Sequence, residues 1–343
     1  MKNYNVFTQF YNKFIKYTPA QNNAFFLTTE TNKDIEKKPV VASKNVEPKN
    51  IFKNYAENLN FMKYKYNSLI NSDVVIREFN LIANNSKYKC FLIFIDGMVD
   101  TQIVNSSVLR PLMLCNKSNT FNNTLDNNSH SNKMINNKKT SKFDLKNYIY
   151  NHLITQNSVK IIDNFDDIFS SINMGNSLLF IETLNIAFDI DAKGFKQRSI
   201  SSPQNEIVVR GSQEAFVENI RTNTSMLRRI INNEDLVIEN CSVGKISRTK
   251  IAVCYLNNIA NNDLVAEVKF RVNNLDIDYL ISSGQLEQLI QDDGSSLYPQ
   301  VIATERPDKV AMHLLEGRVA IIVNDTPYVL VVPRCSVRFH VIT

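Results

Sequence analysis

NSDVVIREF, Asn71–Phe79, returns as NEDLVIENC, Asn233–Cys241. Each holds a short run of β-branched and apolar residues, the pattern of a strand. The flanks repeat as well. CFLIFIDGMVD (Cys90–Asp100) shares its pattern with IAVCYLNNIAN (Ile251–Asn261), and INMGNSLLFIETLNIAFDID (Ile172–Asp191) shares its pattern with LLEGRVAIIVNDTPYVLVVP (Leu314–Pro333). The offset is roughly 160 residues for the first two pairs and roughly 140 for the third. The shortfall is about the size of the Asn-, Ser- and Lys-rich run Asn116–Lys139. An internal duplication with one expanded loop has this signature. The plainer alternative is chance similarity between two α/β segments.

Working outward, a helix over Ile51–Leu69 feeds the strand at Val74, as a helix over 213–231 feeds the strand at Leu236. Strands are expected at Tyr88–Ile95, Val159–Ile162, Ser177–Glu182 and Asn185–Ile190, with helices at Gln102–Leu114, Leu145–Leu153 and Phe165–Asn173. In the second half, Leu264, Val265, Val268 and Val272 mark one helix. Two more short helices are expected to meet at Ser283-Gly284, and Pro307 and Gly317 bracket a last one. The fold class is α/β: two similar small mixed α/β domains, N1 and N2, joined by a linker. The expected boundaries are a disordered N-terminal segment 1–50, a first domain 51–191 with a disordered insertion 116–140, a linker 192–211, a second domain 212–333 and a tail 334–343.

PQNEIVVRGSQEAFVENIRTNTSMLRRI, Pro203–Ile230, reads as a short strand, a turn at Arg210-Gly211, a Ser212 N-cap and a long amphipathic helix. At about 100° per residue Phe216, Ile220, Leu227, Ile230 and Ile231 share a face, with Glu214, Glu218, Arg221 and Arg228 roughly opposite. Asn223 breaks the pattern by sitting in the apolar stripe. A buried amide needs partners or costs about 1–3 kcal/mol, so it meets a backbone carbonyl, a second domain or a ligand.

Composition narrows the function. The net charge of +5 is small for 343 residues, and Lys gathers in Lys33–Lys53 and Lys133–Lys146, which read as solvated stretches and not as a nucleic-acid face. Cys90, Cys115, Cys241, Cys254 and Cys335 form no C-x-x-C pair, which suits a reducing compartment. His130, His152, His313 and His340 lack metal-ligand spacing, so neither metal nor cofactor is expected. No signal peptide is read at the N-terminus, and the most apolar window, Arg318–Pro333, is broken by Asn324-Asp325 and Pro327, so no membrane span is expected.

No nucleophile elbow, zinc-protease or phosphate-loop motif occurs, and only 8 glycines are available to build one; the chain reads as not an enzyme. Asp96, before Gly97, resembles a strand-end carboxylate or simply begins a turn. The charged set Arg210, Glu214, Glu218, Arg221, Glu305, Arg306, Asp308 and Arg318 has three readings: a solvated ion-paired face, an inter-domain or inter-subunit seam, or a pocket with Arg as carboxylate clamp. Glu305–Asp308, at a strand end opening a helix, ranks with Arg210 as the first place to look for a ligand.

The chain also resembles the N-terminal region of the A subunit of GerA-type spore germinant receptors. The resemblance rests on IREF (Ile76–Phe79), FIDGMVD (Phe94–Asp100), LRPLM (Leu109–Met113), NEIVVRG (Asn205–Gly211), ENIRTNTSMLRR (Glu218–Arg229), GQLEQLIQD (Gly284–Asp292) and PQVIATERPDKVAMHLLEGRVAIIVNDTPYVLVVP (Pro299–Pro333). It departs at Ser212, Gln213 and Ala215, where the family has Pro, Arg and Gly. The resemblance implies a soluble two-part region at the inner spore membrane, on its cytoplasmic (core) side. It also implies assembly with B and C subunits and other A subunits, and signal transfer in nutrient-triggered germination. The end RCSVRFHVIT is unlike the family's membrane-entering continuation, so a truncated member, soluble by itself, is expected. The alternative is a free two-lobe module that binds a small-molecule nutrient.

Overall fold

The structure is a computed structural model that describes residues 48–114, 143–194, 203, 205–206, 210–291 and 299–333. The readings made for the N-terminal segment before residue 48, the insertion 116–140, most of the linker, the strand residues 207–209 and the tail 334–343 lie outside the described residues. So do those for Cys115, Cys335, His130 and His340.

The first half opens with helix α1 (Tyr55–Lys65), capped by the Asn54 side chain. Strands β1 (Val74–Ala83) and β2 (Ser86–Ile95) form a hairpin closed by Asn84 and Asn85, whose φ values of 48° and 58° suit the two left-handed positions of a tight hairpin turn. Helix α2 runs through Thr101–Ile103, a π-helical Val104–Leu109 and Arg110–Leu114. Helix α3 follows as Leu145–Tyr148 and a π-helical Ile149–Leu153. Then come β3 (Val159–Ile162), α4 (Phe165–Asn173), β4 (Ser177–Ile181) and β5 (Ala187–Ile190).

The second half holds α5 (Ile220–Ile230), β6 (Leu236–Val243), β7 (Thr249–Leu256), α6 (Asn262–Asn273) and α7 (Ser283–Ile290). It closes with β8 (Ile302–Thr304), α8 (Pro307–Leu315), β9 (Val319–Val323) and β10 (Val329–Val332).

The two halves repeat one topology. The first sheet runs β1-β2-β4-β5-β3 and the second β6-β7-β9-β10-β8, all neighbours antiparallel. Register is kept: Cys90 faces Ile181 as Ile251 faces Val323, and Ile93 faces Leu178 as Cys254 faces Ala320. Gly175 and Gly317, each just past a helix, have φ near 90° and approach the carbonyls of Met98 and Ile259. A shared order, register and close approach make chance similarity an insufficient account.

Each sheet is covered on both faces. Leu59 and Met62 of α1 with Phe165, Ile168 and Ile172 of α4 fill one side of the first sheet, and Val108, Leu112 and Ile149 of α2 and α3 the other. In the second sheet α5 and α8 take one face through Leu227 and Leu314, and α6 and α7 the other through Val268 and Leu286. With both faces dry, β4, β5, β9 and β10 are buried at every position; β9 and β10 read as unbroken apolar runs without alternation, and β4 and β5 carry one polar residue each, Ser177 and Asp189.

Two expectations are corrected. The helix placed after Ser212 begins at Ile220, with Asn219 as its cap; Phe216 is buried without being helical. The helix expected around Ile277–Ile281 does not form: that stretch is non-helical and bonds to the turn 245–248 through the carbonyls of Ile277 and Asp278, and α7 starts after Ser282.

Candidate functional site

The loop Asn71-Ser72-Asp73, between α1 and β1, lies against the second half and builds the seam between the two units. Asp73 and Arg228, 1% and 2% exposed, form a two-pronged ion pair: Arg228 Nε donates to Oδ2 at 2.9 Å and Nη2 to Oδ1 at 2.8 Å. Arg228 Nη2 also donates to Asn71 Oδ1 at 3.1 Å. The remaining groups of this loop stitch onto β6. Asn71 Nδ2 donates to Leu236 O at 3.1 Å, the Ile238 amide to Asn71 Oδ1 at 3.0 Å, and the Ser72 amide to Ile238 O at 2.9 Å.

Around this node the seam is ionic and half-buried. Arg221 pairs with Asp96, and its side chain crosses Gly97, where a Cβ would stand 3.2 Å from Arg221 Cδ. Burial pulls the Arg221 guanidinium below its ordinary range and Arg228 adds to this, while Asp73 works the other way. Lys65 reaches Glu234 at 3.3 Å, Asn173 Nδ2 donates to Glu234 Oε2 at 3.4 Å, and the Tyr66 hydroxyl donates to Asn173 Oδ1 at 3.3 Å. Burial first, then Glu234, hold the Tyr66 phenol well above its ordinary pKa.

The residues singled out by sequence fall in separate places. Arg221 and Asp96 join at the seam. Asn223, fully buried, turns its amide on the backbone six residues earlier: its Nδ2 donates to Val217 O at 2.6 Å and its Oδ1 accepts from the Val217 amide at 2.9 Å. Asn58 does the same to Phe52, at 2.8 and 2.9 Å. Glu214 accepts from Arg229 and lies outside any helix. Glu218 and Arg210 are exposed.

Glu305, buried at the end of β8, accepts from the amides of Asn205 (2.6 Å) and Glu206 (2.9 Å), and its own carbonyl accepts from the Phe216 amide (2.8 Å). It pins the passing chain. Arg306 and Asp308 pair with each other. Burial raises the Asp308 carboxyl, but the hydrogen bond and charge of Arg306, with two backbone amides, carry it below its ordinary value. Arg318 pairs with Glu316 at 3.1 Å, beside His313. The strand-end argument for a ligand at Glu305–Asp308 does not carry over, because it belongs to parallel sheets and both sheets here are antiparallel.

Chemically the site joins and positions. Among the described residues no cluster of metal-ligating side chains occurs. A hollow of about 350 Å³ lies across the units, lined by Met98, Asn173, Met174, Lys193, Arg229 and Asn232. A second, of about 270 Å³, is lined in part by Glu239, Cys241 and Lys269. The Cys241 thiol is pushed up to about 11 by burial and then Glu239, which keeps it protonated at neutral pH.

The sequence pattern described as Bacillus/Clostridium GerA spore germination protein matches residues 60–341. The chain belongs to the GerA family. It is 35% identical over 268 residues to "Spore germination protein KA" of Bacillus subtilis (strain 168), covering 78% of this chain and 45% of that one. To "Spore germination protein A1" of the same organism it is 39% identical over 163 residues, covering 48% and 34%. The chain thus spans about half the length, or less, of these relatives. The crystal structure of the N-terminal domain of the A subunit of the Bacillus megaterium spore germinant receptor GerK3 superposes with a TM-score of 0.60 at 33% identity, covering 85% of this chain and 99% of that one. No helix among the described residues is long and apolar enough to cross a membrane.

In this GerA chain the node Asn71–Asp73–Arg228 escaped the reading of single residues. Arg228 sat on the side of the helical wheel roughly opposite the apolar stripe, and was not among the charged residues singled out. The signal that could have found it is the repeat itself: an Asn-x-Asp before each first strand, with one copy buried.

Proposed function

We propose that this chain acts as the N-terminal region of a spore germinant receptor A subunit at the inner spore membrane, core side. There it serves receptor assembly and the transfer of signal in nutrient-triggered germination, with B and C subunits as partners. The likeness to the GerK3 N-terminal domain, covering 99% of that chain at 33% identity, carries this reading. The buried Arg228–Asp73 pair supports the transfer role, because it ties two sheets into one body that can pass on a displacement. The site does the work of a coupling protein and not of an enzyme.

The test is co-purification. A tagged chain produced in sporulating cells is expected to bring down B and C subunits from spore membranes. Failure to capture either, with the chain intact, sinks the assembly reading. The alternative is a free nutrient-binding module, for which the hollow across the units is the place to seek a ligand. Calorimetry of the isolated chain against amino acids, sugars and nucleosides separates the two, since saturable binding would transfer the nutrient site to this chain.

A further inference from the structure

Among the described residues, Asn176 Oδ1 and Ser177 Oγ are buried without a hydrogen-bond partner, and both stand at the entrance to β4. Ser177 shares a face with Ile190, toward α2 and α3. Asn176 lies beside Asp189, which is 5% exposed on β5 and faces α4. Asn176 Nδ2 donates to Asp189 Oδ1 at 2.8 Å, and Ser171 Oγ donates to Oδ2 at 3.0 Å. Both donors are neutral, and no cationic side chain pairs with Asp189 among the described residues. Ser171 belongs to the last turn of α4, the negative end of that helix, so the helix dipole also opposes the carboxylate. Buried charges are paired or hold a metal ion, because desolvation is otherwise uncompensated.

The repeat shows that the fold does not require this acid. The register that sets Leu178 and Lys160 on either side of Asp189 sets Ala320 and Ile302 on either side of Val331. Val331 is fully buried, and Ile302 packs against the same core. The apolar pair Ile302–Val331 is thus Lys160–Asp189 in the first unit. Lys160 is exposed and makes no ion pair among the described residues, so it leaves Asp189 uncompensated.

We infer that Asp189 and Asn176 bind a monovalent alkali cation between the last turn of α4 and β5. Asp189 supplies one full negative charge. A half-turn of the Asn176 amide exchanges Nδ2 for the unused Oδ1, so that amide and carboxylate oxygens face one point, and the Ser171 hydroxyl turns a lone pair to it. One carboxylate among neutral oxygens balances a single positive charge. A set of hard oxygen ligands without His or Cys suits sodium or potassium and not a soft transition metal. The ion fastens the end of α4 that meets the second unit, where Asn173 donates to Glu234 and accepts from Tyr66. Alkali ions thereby act on the seam. Lys160, across the strand pair, competes by its charge. The inference goes beyond the receptor reading and does not rest on it.

Thermal melting of the full chain tests it, with sodium or potassium chloride exchanged for choline chloride at constant ionic strength. One or both alkali salts are expected to raise the midpoint by about 2 °C or more. Asp189→Val, which installs the residue of the second unit, is expected to lose that response. Asn176→Ala keeps the carboxylate and is expected to weaken it. Lys160→Ile is expected to lower the alkali concentration at half response about twofold. An unchanged circular-dichroism spectrum checks the fold of each variant. A parent indifferent to both alkali ions overturns the inference, as does a response that survives in Asp189→Val. So does a Lys160→Ile chain destabilised equally in every salt, which would make Lys160 the partner of Asp189. Stabilisation by calcium but by neither alkali ion overturns the charge argument.

Discussion

At Arg228 the balance is between desolvation and pairing. Taking a guanidinium and a carboxylate out of water costs several kcal/mol per ion, and the short two-pronged geometry to Asp73 offsets it. Arg228 Nη1 has no partner among the described residues, so the offset is incomplete. Removing one partner is worse, because the other stays buried and charged. Arg228→Met is expected to lose about 3–5 kcal/mol in urea unfolding, and Arg228→Met with Asp73→Leu to recover most of it. A single variant within 1 kcal/mol of the parent (roughly the worth of an exposed pair) would mean the pair holds nothing. Asn223 shows the converse case. Its misfit in an apolar stripe was visible from sequence, and so was its need for a partner. Which partner was not visible, since Val217 comes into reach only once the chain before α5 runs extended.

At the scale of elements, strands and their order in the chain were legible, because apolar runs bounded by turns survive any tertiary context. Helix starts were less so. Ser212 and Asn219 are both good caps, and long-range bonds chose between them. The Phe216 amide is taken by Glu305 O and both Val217 backbone groups by Asn223, so residues 212–218 cannot join the helix. Arg228 was misread for a related reason: a helical wheel sees one neighbour, and α5 has two. The repeated glycines give a test of the shared geometry. Gly317 has φ +85° and a Cβ there would stand 3.0 Å from Ile259 O; at Gly175 the values are +94° and 2.9 Å from Met98 O. Either glycine changed to alanine is expected to destabilise by more than about 1 kcal/mol. Gly284→Ala, within α7 and clear of neighbours, is expected to stabilise by about 0.5–1 kcal/mol. Thermal melting of the three variants decides, and equal shifts of one sign would refute the assignment.

Over the whole molecule, the buried seam is expected to make the two sheets unfold as one, and their buried acids test it together. Burial pushes the Cys90 thiol in the first sheet from 9.0 to about 12, and drives Cys254 in the second and Tyr66 beside the seam upward as well. Below pH 9 each thiol keeps its proton in both folded and unfolded chains, and stability does not depend on it. As pH rises from about 9 the unfolded chain releases these protons while the folded chain holds them, so each step favours unfolding. Melting followed from about pH 7 to about pH 10.5 is expected to show one transition that moves down above about pH 9. Cys90→Ala and Cys254→Ala should each flatten that fall, although the two residues lie in different sheets. Two separating transitions, one flattened by each variant, would show that Arg228 and Asp73 do not bind the units into a single cooperative body.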